Sequence, residues 1–282
     1  MDRQKSFSND DAKLYLVATP IGNLEDMTFR AVNTLKEVGV IFAEDTRVTR
    51  VLLNHYNIKN KLEIYQEFNK ETSYKKIVEY LKNGINVALV SDAGMPVISD
   101  PGFFASKMAL QEGFSVVPIP GVSACLTALI VSNIAPNHFM FYGFLDNKTT
   151  KRIKELQSIK DNTNTIIFYE SPHRIKESLI DMLSVFGNRN IALCRELTKK
   201  FEEIIRGNIE DVIEVCDDLK GEMVIVVEGC NTVIDYNEID KFEQINELIL
   251  AGKRKNEAIG IVAKRLGVER QELYKEYSNK ED

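Results

Sequence analysis

The sequence predicts an α/β protein of two α/β domains followed by a small C-terminal helical appendage. Three observations carry this. Short apolar, β-branched runs alternate with amphipathic stretches of helical period from residue 14 onward. A turn at Ala135, Pro136 and Asn137 interrupts the alternation, after which it resumes with more consecutive strands. From residue 238 only helical periodicity remains. The 282 residues are enough for two ordinary domains and an appendage.

Residues 14–19 (LYLVAT) read as a strand that delivers the turn Pro20-Ile21-Gly22-Asn23. Thr28 suits the N-cap of a helix carrying Phe29, Val32, Leu35 and Val38 on one face, with Gly39 as its stop. Strands follow at 40–43, 62–66, 85–91 and 114–118, and helices at 47–56, 72–82, 102–111 and from about 123. This order indicates a sheet covered on both faces. In the second half, strands are expected at 139–143, 164–169, 190–194 and 222–228, with an extended piece at 203–206. Helices are expected at 149–159, after Pro172 and at 209–217, so an antiparallel component is predicted. The tail reads as helices at 239–250 and 255–266 and a third from Gln271 to Tyr277, a trihelical unit like a helix-turn-helix. The expected divisions are a disordered tail at 1–12, domains at 13–136 and 137–232, and the appendage at 238–282.

The 44% apolar and 28% charged composition is that of a folded protein with sizeable cores. A net charge of -6 and a pI near 5.4 argue against a protein that coats nucleic acid through global charge. Local basic patches remain: Lys148, Lys151, Arg152, Lys154 and Lys160 form one, and Lys253, Arg254, Lys255, Lys264 and Arg265 another. Either is a phosphate-contacting face or simply a solvated one. The four cysteines and three histidines are scattered, with no C-x-x-C pair, so neither a metal site nor a disulfide framework is expected. The N-terminus MDRQKSFSNDDAK lacks an apolar core, and the apolar runs are too short to span a bilayer. A cytoplasmic location without membrane attachment is expected.

Four loops follow apolar strands and mix Gly, Pro and small polar residues: TPIGNLED (19–26), AEDTR (43–47), SDAGMPVISDPG (91–102) and PIPGVSA (118–124). Such loops at strand ends are where an open α/β sheet places a ligand. No G-x-x-x-x-G-K is present, and no G-x-G-x-x-G follows the first strand. An adenosine-type ligand held mainly by backbone groups is the remaining reading.

These loops, together with FYESPHR (168–174), RELTK (195–199) and GEMVIVVEG (221–229), resemble in order the ribosomal-RNA branch of the tetrapyrrole methylase family over residues 13–230. The resemblance implies two α/β domains with S-adenosylmethionine in the cleft between them, and a homodimer. It implies methyl transfer to the ribose 2′-hydroxyl of a cytidine of 16S ribosomal RNA, in the decoding centre of the small ribosomal subunit. Matched to the family's donor-binding segments are Pro20 and Gly22, then Ser91, Asp92, Ala93, Gly94, Met95 and Pro96, then Ser123 and Ala124, and finally Glu196, Leu197 and Thr198. The chain departs from the family at FYGFLD (141–146), where relatives commonly read FEGFLP, which leaves Tyr142 and Asp146 without an assigned role.

A sulfonium donor arrives activated, so the protein must align a hydroxyl with it and remove a proton. Candidate bases are Glu44, Asp45, Glu170 and His173. Asp45 and Arg47 equally suit an ion pair that orders a loop, and His173 and Arg174 a helix N-terminal turn. Arg47, Arg174 and Lys199, with Lys253, Arg254 and Lys255 of the tail, are candidate RNA contacts. A corrin or other tetrapyrrole methyltransferase is the alternative within the family. Outside it stands a non-catalytic regulator whose body senses an adenosine ligand while the tail binds nucleic acid.

Overall fold

The computed structural model describes residues 3–231 and 240–281. The expected boundary at 232–238 and the first residue of the tail's first helix, 239, lie outside the described residues. Two compact units are present, Met1–Cys230 and Asn231–Asp282.

The first unit holds two five-stranded sheets. In chain order the first half runs β1 (Lys13–Val17), α1 (Phe29–Glu37), β2 (Val40–Ala43), α2 (Thr46–His55), β3 (Lys61–Ile64), α3 (Lys70–Lys82), β4 (Val87–Val90), α4 (Phe103–Gln111), β5 (Ser115–Ile119) and α5 (Ala124–Val131). Its sheet is parallel throughout, in the order β3-β2-β4-β1-β5. Alternation sorts the strands onto two cores. Val17, Ile41, Ala43, Ala88, Val90, Val117 and Ile119 face α1 and α2, while Leu14, Val40, Phe42, Val87 and Leu89 face α3 and α4.

The second half comprises β6 (Phe139–Phe144), α6 (Thr149–Ile159), β7 (Thr165–Glu170), α7 (Ile175–Phe186), β8 (Asn190–Arg195), β9 (Glu203–Asn208), α8 (Ile209–Val215) and β10 (Met223–Val227). Its order is β6-β7-β10-β8-β9; β6 and β7 are parallel and the other pairs antiparallel. Ile166, Phe168, Ile191, Leu193, Ile225 and Val227 point toward α6, α7 and α8. The opposite face, with Ile167, Ala192, Cys194, Val224 and Val226, packs on Cys125, Ala128 and Leu129 of α5. A helix of the first half thus covers the second sheet, and α/β layering with an antiparallel component stands as expected.

The second unit contains α9 (Lys241–Leu250), α10 (Lys255–Leu266) and α11 (Arg270–Glu281) around a small core of Ile245, Ala258, Ile259, Val262, Ala263, Leu273 and Tyr277. Gly267, at φ +66°, caps α10 in the left-handed conformation. No helix among the described residues is long and apolar enough to cross a membrane.

Three local expectations are corrected. Phe29 is 92% exposed, not packed with Leu35 and Val38. At 100° per residue it stands roughly 180° around α1 from Val38, so it faces solvent. Residues 3–12 are not a free tail along their length, since Gln4 pairs its side-chain amide with both backbone groups of Val116 at 3.0 Å, extending the edge of β5, and Ala12 is buried. Arg152, read as part of a basic face, is fully buried. Its Nε donates to Asp181 at 2.6 Å and its other nitrogens reach the Asn147 carbonyl and Thr149 hydroxyl, both at 3.4 Å, which fastens α6 to α7.

Removing Asp181 leaves the buried guanidinium with only the exposed Glu177, at 3.7 Å, as a counter-charge. Asp181→Ala is therefore expected to lower stability by about 3–5 kcal/mol. The Arg152→Met, Asp181→Leu double variant, which removes both charges, should lose much less. Denaturant melts of the three proteins check this order.

Candidate active site

Strand topology gathers the sequence-predicted loops. Because all five strands of the first sheet are parallel, the segments after β1, β2, β4 and β5 leave from the same edge, where such sheets place ligands. Backbone bonds then join them. Thr19 and Gly94 exchange N–H···O bonds of 2.9 and 3.0 Å, Ala18 N–H donates to the Ile119 carbonyl at 3.2 Å, and the Thr19 hydroxyl donates to the Ser91 carbonyl at 3.2 Å. A Cβ on Gly121 would stand 2.7 Å from the Ala18 methyl, so the β5 loop approaches this closely only with glycine. The AEDTR loop joins through Asp92, whose carboxylate accepts the Asp45 N–H at 2.9 Å.

From the second half come the ends of β7 and β10 and the RELTK turn after β8. Glu196 and Thr198 are held at φ +50° and +68°, and Val97 and Ser99 in the facing loop at +80° and +64°. For β-branched Val97 and Thr198 this region is costly, and such strain collects at functional sites. Thr198 Oγ1 is buried with no hydrogen-bond partner. The turn is fixed by Lys199, whose ammonium contacts Glu196 and Glu222 at 2.9 Å each. Burial opposes that charge, but the two carboxylates hold Lys199 above the usual lysine range.

Two adjoining cavities result, sharing Ile21, Ala93 and Glu222. One, of about 370 Å³, takes in Gly94, Met95, Ser123, Ala124, Glu170 and Leu197 from the predicted set. The other, of about 380 Å³, takes in Pro20, Gly22, Ser91, Asp92 and Lys199. Pro96 is buried and, like Glu196 and Thr198, lines neither cavity. Sequence reasoning missed Ile98, Ser99, Asp100, Tyr169 and Glu222. Strand alternation signals Tyr169, which faces opposite buried Phe168, and its hydroxyl accepts the Cys125 N–H at 3.2 Å. Burial pushes the Tyr169 hydroxyl up to about 12.

The candidate bases separate. Glu170 is buried and accepts from Ser171 N–H at 2.7 Å, the Ser178 hydroxyl at 2.6 Å and Arg174 at 2.7 Å, so both its oxygens and the Arg174 guanidinium are engaged in building the turn into α7. Asp45 caps α2 and is held to about 2 by hydrogen bonds from Arg47. His173 is exposed and lines neither cavity. Glu44 is half-buried, and burial with the Asp92 and Asp45 charges raises its carboxyl. Tyr142 packs in the core against Phe168, with ring centres 5.4 Å apart. Asp146 accepts the Lys148 N–H at 2.8 Å and anchors the start of α6, so both departures from the motif serve the fold.

The tail cations lie in the second unit. Lys253 pairs with Glu257 at 3.0 Å, Lys255 sits over the Tyr277 ring at 5.0 Å, and Arg254 is exposed at the N-cap of α10.

The tetrapyrrole (corrin/porphyrin) methylase family matches residues 13–213. The chain is 49% identical to ribosomal RNA small subunit methyltransferase I of Bacillus subtilis over 99% of both chains. It is 46% identical to the protein of that name from Halalkalibacterium halodurans, over 98% of this chain and 99% of that one. Among solved structures, a cobalt precorrin-4 methyltransferase superposes with a TM-score of 0.60 at 16% identity, covering 77% of this chain and 94% of that one. A diphthine synthase gives 0.61 at 12% identity, covering 77% and 90%. Family match, near-full-length relatives and fold agree: this chain belongs to the tetrapyrrole methylase family.

Proposed function

We propose that this protein transfers a methyl group from S-adenosylmethionine to the ribose 2′-hydroxyl of a cytidine in the 16S RNA of the small ribosomal subunit. The observation that carries the reading is coverage. The two ribosomal RNA methyltransferases match 98–99% of this chain, helical tail included. The precorrin enzyme leaves about a quarter of it unmatched. Acidic loops also suit the donor better than they suit a polyanion, so the substrate RNA needs separate docking surfaces.

The residues present fit the donor. Thr198 Oγ1 is a buried polar atom without a partner, and Gly94, Ser123 and Ala124 line a cavity large enough for an adenosine. Pro20, Gly22, Ser91, Asp92, Ala93, Met95, Pro96, Glu196 and Leu197 complete the proposed donor site. When bound, the donor supplies a methyl carbon already activated by sulfonium charge. The chain's own part is orientation: the Thr19–Gly94 bridge fixes the loops and the Glu196–Lys199–Glu222 contacts fix the opposing turn. Arg47, exposed on the lip of the AEDTR loop, is a proposed RNA contact along with Arg254 and its neighbours Lys253 and Lys255. Lys199 and Arg174, engaged by carboxylates and only 29% and 25% exposed, act on the fold of the site instead, whereas Arg47 is 90% exposed despite its pairing with Asp45. A homodimer and a cytoplasmic location complete the proposal. Leu126 and Ile130, four residues apart and exposed on α5, offer apolar surface to a second copy.

Incubation with labelled donor and small subunits from a strain lacking this protein is expected to give one 2′-O-methylcytidine. Transfer only to a tetrapyrrole, or no transfer at all, would reject the reading. Thr198→Val and Asp92→Ala should each weaken S-adenosylhomocysteine binding roughly tenfold, the scale of one missing hydrogen bond. Calorimetry on the folded variants reads this. For the tail, replacing Lys253, Arg254 and Lys255 by Gln should leave donor affinity unchanged while flattening the salt dependence of subunit binding by roughly 0.7–0.9 for each phosphate no longer neutralised. A salt series of binding isotherms checks it.

A further inference from the structure

We infer that helix α2 is the wall of the site that seats the acceptor RNA, with Arg50 contacting a phosphate beside the target nucleotide and the Val48–Val51 pair packing on its base. The inference rests on the methyltransfer reading and deepens it with residues that the motif match did not assign.

Methyl transfer needs the ribose hydroxyl about 3 Å from the donor's methyl carbon, so the target nucleotide must occupy space adjoining the donor's. The 380 Å³ cavity is such a space, since it shares Ile21, Ala93 and Glu222 with its 370 Å³ neighbour. Its loop side, with Pro20, Gly22, Ser91 and Asp92, is already placed in the proposed donor site. Its other side is α2, which contributes Val48, Thr49, Val51 and Leu52. Thr49 and Leu52 are buried, but Val48 and Val51 are 46% and 64% exposed. Two apolar side chains three residues apart on one helix face form a ledge at the cavity, and covering them with a heteroaromatic ring removes apolar surface from water.

Charge decides what kind of molecule crosses the ledge. In a chain of net charge -6, α2 reads TRVTRVLLNH, with two arginines and no carboxylate. At about 100° per residue, Leu52, Val48, Val51, Arg47 and Arg50 follow one another round the helix, so the apolar pair borders the cavity and the arginines lie outboard. Arg47 shares its guanidinium with Asp45, whereas Arg50 is exposed and makes no ion pair among the described residues. An apolar ledge beside the donor cavity with a free guanidinium outside it suits a nucleotide whose base turns inward while its phosphates stay in solvent. An acidic protein surface would also satisfy Arg50, but it would bring no ribose hydroxyl to the donor. The helix is held at both ends: Asp45 caps its first turn, accepting the Arg47 N–H at 2.8 Å, and the Tyr56 hydroxyl at its end donates to the carbonyl of Leu24, another residue of the cavity wall. The ledge is therefore formed before RNA arrives, which spares the cost of ordering it on binding.

The experiment compares the wild type with Arg50→Gln, Arg50→Lys and the double variant Val48→Gln, Val51→Gln. Each is measured for binding to small ribosomal subunits across a salt series, single-turnover transfer at saturating subunits, S-adenosylhomocysteine calorimetry and sedimentation. All three positions are exposed, so the variants should fold, and unchanged S-adenosylhomocysteine affinity confirms that they do. Arg50→Gln is expected to lower subunit affinity about tenfold and to flatten its salt dependence by roughly 0.7–0.9. Arg50→Lys, which keeps the cation, should retain the wild-type slope. The double valine variant should keep that slope too, yet slow transfer at saturating subunits by about tenfold, because the bound RNA loses its apolar seat. Unchanged affinity and slope in Arg50→Gln would overturn the phosphate contact, and an unchanged rate in the double variant would overturn the base seat. Weaker binding by Arg50→Gln with an intact slope would assign α2 to a protein component of the subunit. Altered sedimentation would make it an interface between copies of this chain, and lost S-adenosylhomocysteine affinity a part of the donor site; each of these also overturns the inference. Absence of transfer by the wild type would instead strike the methyltransfer reading itself.

Discussion

The site depends first on the packing of α5 against the second sheet. Ala128 on the helix and Ala192 on the strand are both fully buried, and residues this small let helix and sheet approach closely, with Cys125, Leu129, Ile167, Cys194, Val224 and Val226 closing around them. This seam brings the loop edge of a parallel sheet to the ends of β7, β8 and β10. Without it the donor-type motifs of the two halves would belong to separate surfaces. The same seam supplies the Cys125 N–H that holds the Tyr169 hydroxyl at the cavity wall.

Polar groups then do what apolar packing cannot, which is to set direction. The Thr19–Gly94 bridge and the Asp45–Asp92 bond tie loops from three strands into one rim. The positive φ angles at Val97, Ser99, Glu196 and Thr198 are tolerated because the surrounding bonds over-determine them. Glu196 accepts from Lys199, and its backbone N–H donates to the Glu222 carbonyl at 3.0 Å, so the strained turn is braced on both sides.

Charge is used in two distinct ways. Arg152, Arg174 and Lys199 are consumed by carboxylates within the fold, where each cation fixes one element against another. The loop edge of the first sheet, by contrast, concentrates Glu44, Asp92 and Asp100, where partial burial and then like charge raise the carboxyls of Glu44 and Asp100. An acidic rim repels phosphate and accommodates a cation, which separates binding of a sulfonium donor from docking of an RNA particle.

The sequence by itself determined the order of elements, the two-sheet division, the small tail core around Ile259 and Val262, and the four loops of the rim. Each of these is local, arising from apolar period, turn chemistry or capping. Segment identity in FYESPHR and RELTK also pointed to the second wall of the cleft. Tertiary structure alone decided which polar residues are free. Glu170 read as a base in one dimension, and the structure shows both its oxygens engaged by Ser171, Ser178 and Arg174; for Asp45 it chose the ion pair with Arg47 that the sequence had offered beside the base. Arg152 read as a surface cation because a helix pattern cannot reveal an Asp181 partner 29 residues away. Asp100 passed unnoticed because its raised carboxyl comes first from burial and then from Glu44, carried on another strand, with Asp92 of its own loop adding to it. Ionisation and accessibility depend on the field and packing of distant segments, which no spacing along the chain encodes.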